Sequence, residues 1–201
     1  MTGTLVTFNF CNSLYFEGLP KLYANKHGIS FEESKKYLTE CYDEVGDHEP
    51  EWYDTTYWFR RFELGNGWND LLNELKPNIK FYQETASVLE ELSRKYEMVM
   101  TTNACREFVS VEASSIEHYF SRIISCVSDF GEVKKTPEFF GKICRLLDRP
   151  PEEIIHIGDN WLFDYEAPRK HGLTAFYVDR TGEKNGEFIV HNLTELKSIL
   201  L

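Results

Sequence analysis

The sequence is poor in positive charge. Its 22 lysines and arginines stand against 33 aspartates and glutamates, which gives a formal net charge of −11. This balance argues against non-specific binding to nucleic acids or anionic membranes, because both are polyanions. The N-terminus lacks the basic region of a signal peptide, and no apolar run approaches the roughly 20 residues that span a bilayer. We therefore expect a soluble cytoplasmic protein without nucleic-acid or membrane partners.

The sequence also lacks the cysteine spacing of a structural metal site or redox motif. Its five cysteines are odd in number and contain no Cys-x-x-Cys pair. They are Cys11, Cys41, Cys105, Cys126 and Cys144. A disulfide framework or a zinc site is therefore not expected, and a reducing compartment is the simpler interpretation.

The chain of 201 residues fits one domain of ordinary size, or a core with a small inserted cap. From about residue 80 onward, short apolar segments alternate with segments of helical periodicity. Strands are predicted at 97–102, 122–128, 154–157 and 175–178, and helices at 81–96, 107–118, 136–147, 164–171 and 193–201. Strands separated by helices imply right-handed crossovers and a parallel α/β sheet, in which ligands lie at the carboxyl ends of the strands.

Residues 15–80 have a different pattern, with no good strand. Ser30-Phe31-Glu32-Glu33 has the spacing of a capping box and predicts a helix through about Val45. The segment from Glu51 to Leu64 is rich in aromatic residues and is also predicted to be helical. Its rings either pack between helices or line part of a substrate pocket, and packing is the commoner use.

Polar residues stand in a loop or at a strand end in four segments. The segment from Leu5 to Leu14 is interpreted as a buried strand that ends in a polar loop. The candidate residues of the four segments are Asn9, Cys11, Thr102, Asn103, Lys134, Asp159 and Asp164. Because the carboxyl ends of parallel strands meet at one edge of a sheet, we expect these segments to converge.

The two carboxylates near residue 160 have two interpretations. Asp159 and Asp164 suit a hard cation such as Mg²⁺, which prefers carboxylates, substrate phosphate and retained waters. Alternatively, they are an N-cap and a first-turn residue of a helix, where the helix dipole favours negative charge. The presence of the other three segments in order favours the metal site.

The order of these segments resembles that of the haloacid dehalogenase-like (HAD) hydrolases. The resemblance is strongest at Gly158-Asp159 to Asp164, and also includes Thr102-Asn103 and Lys134. It implies a Rossmann-like parallel sheet core at 1–14 and 81–201, with a helical cap at 15–80. It also implies Mg²⁺-dependent hydrolysis of a small phosphate ester through a phosphoaspartyl intermediate.

The resemblance also assigns roles to individual residues. Asp159 would touch the metal directly, and Asp164 would act through water or through contacts behind the metal ligands. Thr102 and Asn103 would donate hydrogen bonds to phosphoryl oxygens. Lys134 would bring a positive charge to the same oxygens, although its neighbour Lys135 is an alternative.

The first loop departs from the pattern of the family. Asn9 stands where the family has its nucleophilic aspartate, and Cys11 stands where phosphatases have their acid. The side-chain oxygen of Asn9 and the backbone carbonyl of Cys11 remain candidate metal ligands. Cys11 is otherwise a small buried residue or, less commonly, a nucleophile.

This departure leaves three interpretations of function. The first is a HAD-type phosphohydrolase whose turnover is impaired because Asn9 replaces the nucleophile. The second is a non-catalytic module that binds a phosphorylated ligand or a protein. The third is a haloacid dehalogenase, which the pair of Asp159 and Asp164 disfavours because dehalogenases use no cation.

Overall fold

The computed structural model describes residues 1–133 and 136–201. The strands are β1 (Val99–Thr102), β2 (Arg122–Ser125), β3 (Ile155–Gly158), β4 (Thr174–Val178) and β5 (Ile189–Val190). The helices are α1 (Asn9–Ser13), α2 (Leu19–His27), α3 (Phe31–Val45), α4 (Thr55–Arg61), α5 (Trp68–Leu75), α6 (Thr85–Ser93), α7 (Arg106–Glu112), α8 (Cys126–Phe130), α9 (Pro137–Leu147), α10 (Ala167–His171) and α11 (Leu193–Leu200). Two π-helical turns, Leu14–Gly18 and Trp161–Glu166, lead into α2 and α10.

The strands form two parallel sheets. β1 pairs with β2, and β3, β4 and β5 form the second sheet in that order. β1, β2, β3 and β5 are each followed by helices, and helices bury apolar residues against the sheets, such as Phe140 of α9 and Leu196 of α11. The predicted α/β class with parallel sheets is confirmed.

The buried strand predicted from Leu5 to Leu14 is wrong. Val6 makes only isolated bridges, to Thr2 and Phe81, and α1 begins at Asn9. Phe10 and Leu14 are both fully buried. Their spacing of four residues places them on one face of a helix, so the apolar pattern is satisfied by helical burial and not by a sheet.

The strand predicted at 122–128 is three residues too long. It ends at Ser125, whose Oγ accepts a hydrogen bond from the Ser128 backbone N–H at 3.1 Å. This bond caps α8, and Gly131 ends the helix with a φ of 65°. A serine whose hydroxyl accepts from the first N–H groups of a helix favours a helix start at that position. The strand therefore ends at Ser125, and α8 begins directly after it.

Residues 9–78 are helical apart from their connecting loops, as predicted for the segment from residue 15. Their core contains Leu38, Trp58 and Leu72, all fully buried, and it also includes Phe108 of α7. Phe10 and Leu14 pack in this same cluster. The division into a core at 1–14 and 81–201 and a cap at 15–80 stays a prediction.

None of the helices in the described part of the chain has both the length and the apolar character needed to cross a membrane.

Candidate active site

The loop after β3 is shaped around the buried carboxylate of Asp164. Its Oδ2 accepts a hydrogen bond from the Asn160 backbone N–H at 3.0 Å, and its Oδ1 lies 2.9 Å from His156 Nε2. Asn160 Oδ1 in turn accepts from the Phe163 N–H at 2.9 Å and begins the π-helical turn. Asp164 therefore holds the loop that carries Asp159.

Asp159 is in contact with a tight turn near the start of the chain. Thr4 Oγ1 donates to Asp159 Oδ1 at 2.6 Å. A Cβ atom on Gly3 would lie 2.0 Å from Asp159 Oδ2, and Gly3 has a φ of +83°. Only glycine meets both conditions without strain, so Gly3 and Thr4 form the segment that contacts this carboxylate.

Arg180 fixes this turn in place. Its Nε donates to the Gly3 carbonyl at 3.2 Å, and its Nη2 donates to the Thr4 carbonyl at 2.7 Å. Its Nη1 pairs with Glu84 Oε1 at 2.9 Å, and the guanidinium carbon lies 3.3 Å from the Tyr82 ring centroid. The loop after β4 therefore supports the turn that contacts Asp159.

The loop after β1 carries Thr102 and Asn103, which are both buried. Thr102 Oγ1 accepts from the Ala104 N–H at 3.3 Å, so its hydroxyl also shapes the loop. The Cys105 N–H donates to the Tyr53 carbonyl at 3.1 Å, and the Thr55 N–H lies 3.3 Å from Cys105 Sγ. These contacts join the helical segment directly to the end of β1.

Tyr53 is in contact with the loop that follows β1. Burial raises the pKa of its hydroxyl to about 12, while hydrogen bonding to the Asn103 side chain lowers it, and the charges of Asp47 and Asp164 raise it further. The hydroxyl also donates to the Asp47 carbonyl at 3.1 Å. Tyr53 therefore contacts the loop after β1 through Asn103, and the charge of Asp164, after β3, acts on the same hydroxyl.

The structure places Asn9 in the first turn of α1, where its side chain is exposed. Its Oδ1 accepts a hydrogen bond from Thr7 Oγ1 at 3.1 Å. The segment that contacts Asp159 is instead Gly3-Thr4, five residues earlier. A role for Asn9 as the nucleophile position or as a metal ligand stays a prediction, and these contacts do not favour it.

Cys11 does not have the surroundings expected of an acid or a metal ligand. Burial and the nearby charge of Glu112 raise the pKa of its thiol to about 12, and its side chain packs against the core of the helical segment. Its backbone carbonyl accepts the Leu14 N–H inside the helical run. These features agree with the alternative of a small buried residue.

Lys134 and its neighbour Lys135 lie outside the described residues. The residues missed by the sequence interpretation are Gly3, Thr4, Tyr53 and Arg180. A Gly-Thr pair in Met1-Thr2-Gly3-Thr4 is a turn signal, but it precedes the apolar segment that is predicted as the first strand. Arg180 and Tyr53 had no signal, because only the fold brings them to the site.

Magnesium, which the resemblance implies, takes several oxygen ligands, some of them from water and phosphate. Among residues 1–133 and 136–201, no group of three or more His, Cys, Asp or Glu side chains is arranged to hold a metal. Both oxygens of Asp164 already accept hydrogen bonds within the loop. Asp159 stays the predicted direct ligand among the described residues, where no three such side chains are grouped to hold a metal.

Glu112 is a fully buried carboxyl beside the N-terminal turn, and both of its oxygens accept from Thr2 Oγ1, at 3.1 and 2.8 Å. Burial raises its pKa from 4.5 to about 7, although the Thr2 bond lowers it. A carboxyl with a raised folded-state pKa favours folding when protonated. Its contribution is therefore fully present below about pH 4.5 and is lost as the pH rises through about 7.

We expect Glu112→Gln to remove this dependence, because the amide does not titrate. The free energy of unfolding is measured by urea unfolding at pH 5 and at pH 7.5. The decrease between the two pH values should be smaller in the variant than in the unchanged chain. Glu117→Gln, at an exposed position in the turn after α7, is the matched control and should leave the loss unchanged. An equal loss in the Glu112→Gln variant and the unchanged chain would contradict the assignment.

Comparison with known sequences decides the family. A sequence model of the haloacid dehalogenase-like hydrolases matches residues 1–172. The chain belongs to this family. The GMP/IMP nucleotidase YrfG of Escherichia coli (strain K12) is 23% identical over 163 residues, which are 80% of this chain and 72% of that protein. The pyrophosphatase PpaX of Bacillus cereus (strain B4264) is 29% identical over 85 residues, 41% of this chain and 39% of that protein.

Solved structures of HAD proteins share the fold. A HAD phosphatase from Thermococcus onnurineus has a TM-score of 0.85 at 23% identity, covering all of this chain and 94% of that one. A 2-haloacid dehalogenase from Pseudomonas syringae pv. Tomato DC3000 has a TM-score of 0.71 at 17% identity, covering all of this chain and 95% of that one. The solved structures that share this fold thus include both a phosphatase and a dehalogenase. The fold alone therefore does not identify the reaction.

Proposed function

We propose that this HAD hydrolase binds the phosphoryl group of a small phosphate ester between the loops after β1 and β3. The observation that carries the proposal is the junction of the helical segment with the loop after β1, where the Tyr53 hydroxyl bonds the Asn103 side chain and the Cys105 N–H donates to the Tyr53 carbonyl at 3.1 Å. Thr102 and Asn103 then supply hydrogen-bond donors, and Asp159 supplies negative charge for a cation that accompanies the phosphate. Lys134 is proposed as the cationic side chain by resemblance alone.

Phosphoryl transfer depends on positioning and on donors that match the charge of the phosphoryl oxygens. In this site the Asn103 amide and the Tyr53 hydroxyl lie within hydrogen-bonding reach of each other, so a bound oxygen would meet two donors once the hydroxyl turns from the Asp47 carbonyl. The raised pKa keeps the phenol protonated at neutral pH, and therefore a donor.

The substrate class proposed is a phosphate monoester with few negative charges. The loop that carries Tyr53 is acidic, with Asp47 and Asp54 on either side of it in the sequence. Their charges disfavour a polyphosphate more than a monophosphate. The likeness to a protein named GMP/IMP nucleotidase makes nucleoside monophosphates the first compounds to screen.

Turnover by the described chain is proposed to be at or near background. The site as described provides Asp159 but no complete set of anionic ligands. Asn9, an amide, is a poor nucleophile, and Cys11 has a thiol that stays protonated. Ligand binding, and not hydrolysis, is therefore the sharper test.

We expect Tyr53→Phe to weaken the binding of inorganic phosphate, measured calorimetrically with Mg²⁺ present. The change removes one donor and keeps the ring, and a neutral hydrogen bond of ~1 kcal/mol corresponds to a loss of about fivefold. Tyr37→Phe is the matched control, because Tyr37 is exposed on α3. Equal affinities for all three proteins would overturn the placement of the phosphate beside Tyr53.

A further inference from the structure

The helical run that begins at α1 has an exposed aromatic face opposite its buried one. Phe10 and Leu14 are fully buried in the core of the helical segment, as their spacing of four residues on one helix face allows. Phe8 is 51% exposed, and Phe16 is 37% exposed. Two residues correspond to about 200° around a helix of 3.6 residues per turn, so Phe8 and Phe16 point away from that core.

Asn12 lies between the two exposed rings. Its backbone N–H donates to the Phe8 carbonyl at 2.8 Å, so Asn12 and Phe8 are neighbours one helical turn apart. Asn12 is also exposed, and Phe16 follows it by four more residues. A surface helix normally has polar residues opposite its buried face, and two phenylalanines depart from that pattern. We call the side chains of Phe8, Asn12 and Phe16 the aromatic face.

The aromatic face begins close to the contact with Asp159. Thr4, which donates to Asp159 Oδ1 at 2.6 Å, precedes Phe8 by four residues, so the Cα atoms of Thr4 and Phe8 are at most ~14 Å apart. Burial is the main cause of the raised pKa of Tyr53, and a charge on the Cys11 thiol of the same helix adds to it. The helix that carries the face therefore also lies near the Tyr53 hydroxyl.

Ring contacts link the other end of the face to the same region. The Phe16 ring lies 6.2 Å from the Tyr42 ring, edge to face, and the Tyr42 ring lies 6.3 Å from that of Trp52. Trp52 directly precedes Tyr53, whose hydroxyl bonds the Asn103 side chain. The face is thus connected at both ends to the residues proposed to bind the phosphoryl group.

The size of the face indicates what kind of partner covers it. Phe8 and Phe16 are eight residues apart, which is about 12 Å along a helix. The two rings together expose roughly 200 Å², whereas a stable protein interface covers about 800 Å² on each partner. The net charge of −11 also opposes the approach of a second copy of the chain. A small ligand with a planar ring matches these dimensions better than a protein does.

We propose that the aromatic face binds the nucleobase of a nucleoside monophosphate, an inference that rests on the proposed function. A base stacks on an aromatic side chain through its π-face, whichever base it is. The Asn12 amide both donates and accepts hydrogen bonds, as the polar edge of a base requires. Phe8 and Phe16 would then distinguish a nucleoside monophosphate from a sugar phosphate, while the phosphoryl group lies beside Tyr53.

The test compares adenosine 5′-monophosphate with ribose 5-phosphate, which differ only in the base, by calorimetry with Mg²⁺ present. We expect the unchanged chain to bind the nucleotide at least ~5-fold more tightly, the lower end of what base stacking contributes. The double variant Phe8→Ala, Phe16→Ala should bring this ratio to about one and keep the affinity for ribose 5-phosphate. Phe31→Ala, at an exposed ring of α3, is the matched control and should leave the ratio unchanged.

Each outcome decides the inference. Because Phe16 packs against Tyr42, Phe8→Ala alone is the second variant, and it should lower the ratio with an unchanged Tm. A ratio that both variants leave unchanged overturns the inference. An equal loss of affinity for both ligands indicates a structural role and also overturns it. A dimer in sedimentation that the double variant dissolves would assign the face to a second copy instead.

A further comparison separates this inference from the proposed function. Tyr53→Phe should weaken the binding of both ligands by the same factor, so that their ratio stays the same. If inorganic phosphate and both phosphate esters fail to bind, the proposed function is wrong. Adenosine, which has no phosphate, then tests the face alone by NMR. Shifts of the Phe8 and Phe16 ring protons on adding adenosine would support a base site, and unchanged ring signals would reject it.

Discussion

Asp159→Asn should weaken the binding of Mg²⁺ in the presence of inorganic phosphate by at least ~100-fold. Changes to residues behind direct ligands already cost about 10- to 100-fold in metal affinity, and Asp159 is the carboxylate presented at the end of β3. The amide oxygen still accepts the Thr4 hydroxyl, which now bonds Asp159 Oδ1 at 2.6 Å. We therefore expect the fold to be retained, so that the loss of Mg²⁺ affinity reports the removal of the negative charge of Asp159.

Two variants control this experiment, and calorimetry with and without phosphate gives the readout. Asp43→Asn removes an exposed carboxylate of α3 and should leave the affinity unchanged. Asn9→Asp adds a carboxylate at the position first predicted for the nucleophile. Because Asn9 is exposed and bonded to Thr7, we expect it to change the affinity less than twofold. A large gain from Asn9→Asp would instead restore the sequence-based assignment.

Much of the fold was predictable because its signals are local. The apolar stripe of α9 and the Thr136-Pro137 start predict a helix, and Thr136 Oγ1 does accept the Phe139 N–H at 3.3 Å. The capping box at Ser30 and Glu33 forms with both of its bonds. Short-range patterns of this kind are fixed by a few neighbouring residues, so one sequence suffices to identify them.

The first segment was mispredicted because short apolar runs do not distinguish strand from helix. Leu5-Val6-Thr7-Phe8 has strand-like composition. Phe10 and Leu14 nevertheless pack in the core of the helical segment, and this burial favours the helix α1. The same interpretation places the expected polar loop at Asn9, whereas the segment in contact with Asp159 is Gly3-Thr4. The resemblance to the family selects the loops after β1 and β3, where strand ends are well defined, and the role of these loops in a site stays a prediction.

The contacts that complete the site were beyond sequence reasoning. Arg180 reaches the Gly3 and Thr4 carbonyls across 176 residues or more of chain, and Tyr53 meets Asn103 through the packing of the helical segment. Neither residue belongs to a motif. Side chains that act by long-range contact are identified only when the fold brings their partners together.

Gly158→Ala should destabilise the protein by about 3 kcal/mol. A Cβ at this position would lie 2.3 Å from the Asp164 carboxyl carbon and 2.6 Å from its Cβ, so rotation of the Asp164 side chain does not relieve the overlap. The loop must move, which breaks the bonds of Asp164 to His156 and to the Asn160 N–H. Each buried polar group left unsatisfied costs about 1–3 kcal/mol.

Gly67→Ala is the matched control for this prediction. Gly67 precedes α5 with a φ of −78°, and a Cβ there would meet no atom within 4 Å. Alanine is tolerated in that conformation, so the control should change the free energy of unfolding by about 0.5 kcal/mol or less. Urea unfolding of the three proteins gives the comparison. If Gly158→Ala lowered the free energy of unfolding no more than Gly67→Ala, the Asp164 carboxylate would not hold the loop in a fixed conformation. The claim that this loop holds Asp159 rigidly would then also be wrong.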